Sequence, residues 1–267
     1  EVPGTEKSGT EPEVPGTEKS GTEPEVPGTE PGMLGTDPAG RGESPSATTP
    51  FRTERDTLGD VRVPSEAWWG AQTERATHNF AVSGRGLQPQ YVRSLGLLKW
   101  AAVKANLELG LLPEKLAHVI EEVAWEVWEG LWQDQFVTDV YQTGSGTSFN
   151  MNANEVIANM ANVRLGGQRG LYSEVHPNDH VNKGQSSNDV FPTVLHLTVL
   201  GALKDVLRPS LECLKDELVE KQKEFEGVVK IGRTHLQDAT PVKVSQVFGG
   251  YIRLVEKGAV ALARAQE

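Results

Sequence analysis

The chain has 267 residues, 37% hydrophobic and 24% charged, with a formal net charge of −11, a length that admits one large domain or two small ones. The acidic balance argues against a nucleic-acid partner. No apolar run approaches the length expected of a bilayer span, so no membrane is expected.

The chain opens on Glu-Val-Pro-Gly, neither a methionine nor the basic and apolar regions of a secretory signal, which fits a processed, trimmed or incomplete start. EVPGTEKSGTEP occupies 1–12, recurs at 13–24 and begins again at 25. Ten carboxylates against Lys7, Lys19 and Arg41 place −7 of the −11 in residues 1–50. So little apolar surface cannot offset the entropy of ordering a backbone, and 1–50 is expected to be a disordered acidic tail.

From about Phe51 helical periodicity takes over. VRVP at 61–64 is the clearest strand signal. Leu95, Leu98, Ala102 and Leu107 mark a helix ending near Gly110. A second runs from Pro113 to Gly130 on Leu116, Val119, Ile120, Val123 and Val127. A third spans Met151 to Leu165 and stops at Gly166-Gly167. The longest starts at Asn188 and keeps one stripe of Val and Leu to Leu218, roughly 55 Å of helix with a bend expected at Pro209. A last helix follows Thr240-Pro241, and the chain ends inside it at Glu267. The fold class read from this pattern is mainly α. The tail is followed by an amino-terminal domain over 51–185 and an incomplete helical bundle over 186–267. The single cysteine, Cys213, excludes an internal disulfide, fits a reduced cytoplasmic setting, and is expected to pack between Leu211 and Leu214.

Three polar motifs sit directly before expected helices, where backbone N–H groups and the helix dipole suit a carboxylate or phosphate. The first is GSGTSFN at 144–150, with Ser145, Gly146 and Thr147. It lacks the Lys-Ser/Thr ending of a nucleotide P-loop and reads equally as a capped turn. The second is HPNDHVNKGQSSND at 176–189. Its two histidines have a metal-like spacing, but Pro177 separates them and no third ligand is evident, so no metal is expected. Ser186, Ser187 and Asn188 there serve as helix caps, an anion site, or both. The third is GRTHLQDATP at 232–241, where His235 is placed as a general acid or base would be, or is structural.

Taken together, GSGTSFNMNANEVIAN, HPNDHVNKGQSSND and KIGRTHLQDATP resemble the fumarase/aspartase superfamily, specifically class II fumarase. DTLGDVRVP and WWGAQTERATHNF, within 56–80, resemble its amino-terminal opening, and the likeness covers about Arg52 to Glu267. The resemblance implies reversible hydration of fumarate to malate, with no cofactor, by a homotetramer whose sites draw on three chains. Ser145, Gly146 and Thr147 would bind the dicarboxylate from one chain, and Ser186, Ser187 and Asn188 from a second. Thr234 would sit beside His235, which handles the proton of the attacking water. His176, Pro177, Asn178 and Asp179 would form a second anion site. Lys183 and Ser187 favour fumarase over aspartate ammonia-lyase, the alternative within the superfamily. An oligomerising scaffold without activity is the alternative of another class. The family's loop reading GSSIMPGKVNP, with its carbon-acid base, is absent from the sequence, so the resemblance predicts a truncated chain with little turnover.

Overall fold

The computed structural model describes residues 50–266; the expectation for the acidic tail falls outside them, apart from Pro50. Strands β1 (Phe51–Asp56) and β2 (Gly59–Pro64) form an antiparallel hairpin. The VRVP strand thus has a partner that carried no clear strand signal. Arg52 locks the hairpin down by donating to the carbonyls of Pro64, Ala67 and Trp69 at 2.6–2.8 Å.

Helices α1 (Ala71–Asn79), α2 (Pro89–Glu108), α3 (Glu114–Glu129) and α4 (Thr147–Arg164) follow. Val92, Leu95 and Val103 of α2, Ile120, Val123 and Val127 of α3, and Val156 and Ile157 of α4 share one core. Gly96 allows α2 and α3 to meet backbone to backbone, because a Cβ there would lie 2.6 Å from the Trp128 nitrogen. The α3 helix starts at Glu114, with Pro113 as its N-cap, and ends on left-handed Gly130.

The α4 helix begins four residues earlier than its apolar pattern, and 148–162 are buried throughout. Its asparagines staple loops. Asn152 bonds Val137 N–H and Gln135 C=O. Asn159 bonds Gly170 N–H and Trp68 C=O. Asn162 accepts from Glu174 and Val175 N–H and donates to Val175 C=O. Glu155, 3% exposed, accepts from the N–H groups of Gly70, Gln72 and Thr73 at 2.9–3.0 Å and so caps α1.

Helix α5 (Ser187–Ala202) leans on α2 and α4 through Val190 and Val194. A π turn, Leu203–Leu207, joins it to α6 (Arg208–Glu224), so the chain stays helical through 38 residues. Pro209 has no N–H to offer the preceding turn, and the wide turn sits where a bend was expected. This helix contains one window long and apolar enough to cross a membrane by length and composition alone. That corrects the expectation that no stretch reaches that length; its valines and leucines are interrupted by Thr193, His196, Thr198, Lys204 and Asp205, which hid the run. Beyond Val194 the stripe is uncovered: Leu197, Leu200, Leu207 and Leu214 are exposed. Cys213 is exposed as well, not packed as expected, because its helix has no neighbour on that side.

A second antiparallel hairpin, β3 (Val229–Thr234) and β4 (Gln237–Lys243), precedes α7 (Val244–Ala265). The last helix therefore starts three residues after Pro241, which sits in a two-stranded ribbon that tolerates its missing N–H. The α7 helix returns antiparallel along α6, with Phe225 stacked on Phe248 at 5.8 Å near the hairpin end.

Candidate active site

The start of α4 and the start of α5 meet. Gly146, the N-cap of α4, is left-handed at φ 71°, and a Cβ there would collide with the Phe191 ring. Glycine is required twice over, by backbone and by packing. Phe191 of α5 also stacks on Phe149, and its carbonyl accepts from the Tyr91 hydroxyl at 3.2 Å. These contacts deliver the α5 terminus to the α4 terminus.

Three hydroxyls line up as a result. Ser145 Oγ lies 3.0 Å from Thr147 Oγ1, which lies 3.1 Å from Ser187 Oγ. Ser145 and Thr147 are exposed and Ser187 half-buried, so the row faces solvent. Ser186 caps α5 by accepting from Asn188 N–H at 3.3 Å. Two helix amino termini thus converge on one row of donors, an arrangement suited to a carboxylate. The first two motifs meet within one chain. The expectation that Ser145 and Thr147 come from one subunit and Ser186, Ser187 and Asn188 from another is corrected, because the Phe191 packing joins them in the same copy.

Behind the row lies Lys99, 1% exposed. Its Nζ donates to Asn150 Oδ1 at 2.7 Å, Gln185 Oε1 at 2.8 Å and Asn182 Oδ1 at 3.2 Å. Burial brings its pKa down to about 7. Sequence reasoning missed this residue, yet a signal existed: Lys99 falls four residues from both Leu95 and Val103 on the apolar face of α2.

His176, Pro177, Asn178 and Asp179 lie together at a π turn, Pro177–Val181. His176 Nδ1 accepts from Asp179 N–H at 3.3 Å and sits 3.2 Å from the Asp179 carboxylate. His180 Nδ1 accepts from His176 N–H at 2.8 Å, which leaves that nitrogen unprotonated. Burial holds the His180 ring below the usual imidazole range. Asn178 and Asp179 are exposed.

The third motif departs from expectation. Thr234 and His235 stand at the tip of the β3–β4 hairpin, not in a turn that opens a helix. His235 and Leu236 are both left-handed, at φ 50° and 61°, the twist a two-residue hairpin turn requires. Both are exposed, Leu236 at 96%. The hairpin follows the far end of the helix that begins at Ser187, roughly 55 Å away by its rise. Strands of six and seven residues reach back only about 20 Å. Within one copy, the structure does not bring His235 to the hydroxyl row.

Residues 59–267 match a family described as lyase. The chain is 56% identical over 208 residues to a class II fumarate hydratase of Halobacterium salinarum, covering 78% of this chain and 44% of the relative. It is 44% identical over 218 residues to an aspartate ammonia-lyase of a Bacillus species, covering 82% and 46%. Its structure is similar to a class II fumarase from Schistosoma mansoni, with a TM-score of 0.75, 42% identity, and coverage of 79% of this chain and 44% of that one. The chain spans less than half the length of these relatives.

Proposed function

The chain belongs to the lyase family, and on that premise we propose that it forms part of a fumarate hydratase, adding water to fumarate to give (S)-malate. The observation that carries this reading is the row Ser145–Thr147–Ser187 at two convergent helix amino termini. Fumarate is a dianion, and hydroxyls with helix amino termini clamp carboxylates. In the reverse direction, loss of the carbon-bound proton of malate places charge on a carboxylate, which donors already in position stabilise. Gly146 contributes by letting Phe191 seat the start of α5 against the start of α4, and Ser186 and Asn188 complete the clamp. His235, with Thr234 beside it, handles the proton of the water.

Since His235 is remote from the row within one copy, a site that uses both draws on more than one chain. A homotetramer is the assembly proposed, with 51–185 as the lyase domain and 186–267 as part of its bundle. The His176–Asp179 turn is proposed as the second anion site, and the setting as a soluble cytoplasmic enzyme of fumarate and malate metabolism. No cofactor enters this chemistry.

Aspartate ammonia-lyase is the second reading, favoured by the 44% identical relative. Turnover of the complete protein of which this chain would form part, measured with fumarate, malate and aspartate, separates the two. Fumarate hydration that drops roughly 100-fold in Thr147→Val and Ser187→Ala supports the proposal. Turnover of aspartate alone overturns it, and a defined oligomer inert towards all three favours a scaffold.

A further inference from the structure

We infer that Lys99 is a positioning residue for the hydroxyl row, one ammonium that ties the first turn of α4 to the approach of α5 and so fixes how Thr147 and Ser187 meet. Asn150 lies one turn beyond Thr147 on α4, and Gln185 directly precedes the N-cap Ser186. Lys99 Nζ bonds both, at 2.7 and 2.8 Å. Asn182 closes the knot: its Oδ1 accepts from Lys99 and from Asn150 Nδ2 at 3.0 Å, while its Nδ2 donates to Gln185 C=O at 3.1 Å.

A buried lysine is costly, and Met or Leu would fill the same volume without that cost. What a neutral chain cannot do is donate three hydrogen bonds to three separate residues from one atom. All three acceptors are neutral amides, so no carboxylate cancels the charge behind the row. Below a pH of about 7, where the buried amine holds its proton, that uncancelled charge adds to the two helix dipoles and favours a dianion. This last step rests on the fumarate reading; the positioning of the row does not.

Hydrogen exchange on the full chain tests the inference. In Lys99→Met, amides of 144–150 and 182–190 are expected to exchange at least tenfold faster, with α3 unchanged. No change in either segment overturns the inference, and so does an equal acceleration in α3, which would report only a lower global stability. Gln185→Leu cuts one arm and decides the matter if the first variant does not fold. Faster exchange over 186–190 alone is expected, and none overturns the idea. In a second arm, fumarate should slow the amides of 186–188, and Lys99→Met should need at least tenfold more of it. If fumarate protects nothing in the wild-type chain, the fumarate reading fails while the ligand-free exchange still judges Lys99.

Discussion

Residues 50–186 and residues 187–266 carry equally clean helical stripes, but only the first set is covered by its own chain. Leu95, Ile120, Val127 and Ile157 are at most 1% exposed. In the second set, apart from Val190 and Val194 at the start of α5, Ile252 is the buried apolar residue among those described. Leu200, Leu214, Leu254 and Val260 are 42–67% exposed. A hydrophobic stripe says which face is to be covered and not by what. Site residues divide the same way: the Ser145–Thr147–Ser187 row is set by one chain's packing, while His235 is held out on an exposed hairpin.

The first set should therefore be the stable one, and the largest effect should come from its buried polar frame. Glu155→Ala leaves three N–H groups of the α1 terminus without an acceptor. It is expected to destabilise by about 4 kcal/mol. Urea unfolding followed by tryptophan fluorescence measures this selectively, because all six tryptophans lie between Trp68 and Trp132. A loss below about 1 kcal/mol would break the claim that this frame holds the first set together. Leu95→Ala, read the same way, is expected to cost about 3 kcal/mol.

Much of this frame was legible beforehand. Apolar periodicity located α2, α3 and the long helix, and turn residues located the first two motifs. The rest was hidden for physical reasons. The asparagines of NMNANEVIANMAN look like a solvated face, but Asn152, Asn159 and Asn162 are buried because each satisfies a loop backbone. The β3–β4 hairpin lacks the Asn-Gly or Asp-Gly turn that announces one, and instead holds His235 and Leu236 at positive φ. Lys99 went unread because a charge on an apolar face looks like a break in the stripe, whereas three amides receive it.

Lys99 sharpens the comparison through pH. Its folded pKa is about 7, below the ordinary lysine value of 10.5. Between these values the unfolded chain binds a proton that the folded chain has shed, so stability rises with pH across that window. Stability is lost as pH falls towards 7, and below it the burial cost is constant. The slope approaches about 1.4 kcal/mol per pH unit near pH 9. Lys99→Met should remove this slope from the tryptophan-detected transition. Parallel profiles for wild type and variant would show that Lys99 keeps its proton on unfolding and on folding alike.

The smallest effect is the most discriminating. Leu214, on α6, is 48% exposed in a single copy. Substituting Ala there removes little packing, so the cost in a monomeric chain should be within about 0.5 kcal/mol, as for other surface positions. Circular dichroism at dilute and at high protein concentration reads the helices of the second set, which tryptophan does not. If the cost stays small at every concentration, the stripe is uncovered in solution. If it climbs towards about 3 kcal/mol as concentration rises, then Leu214 has become a core residue of an assembly. The stripe from Leu197 to Leu218 is then half of a core whose other half is another chain. The same contact that covers it would bring one copy's His235 within reach of another copy's hydroxyl row.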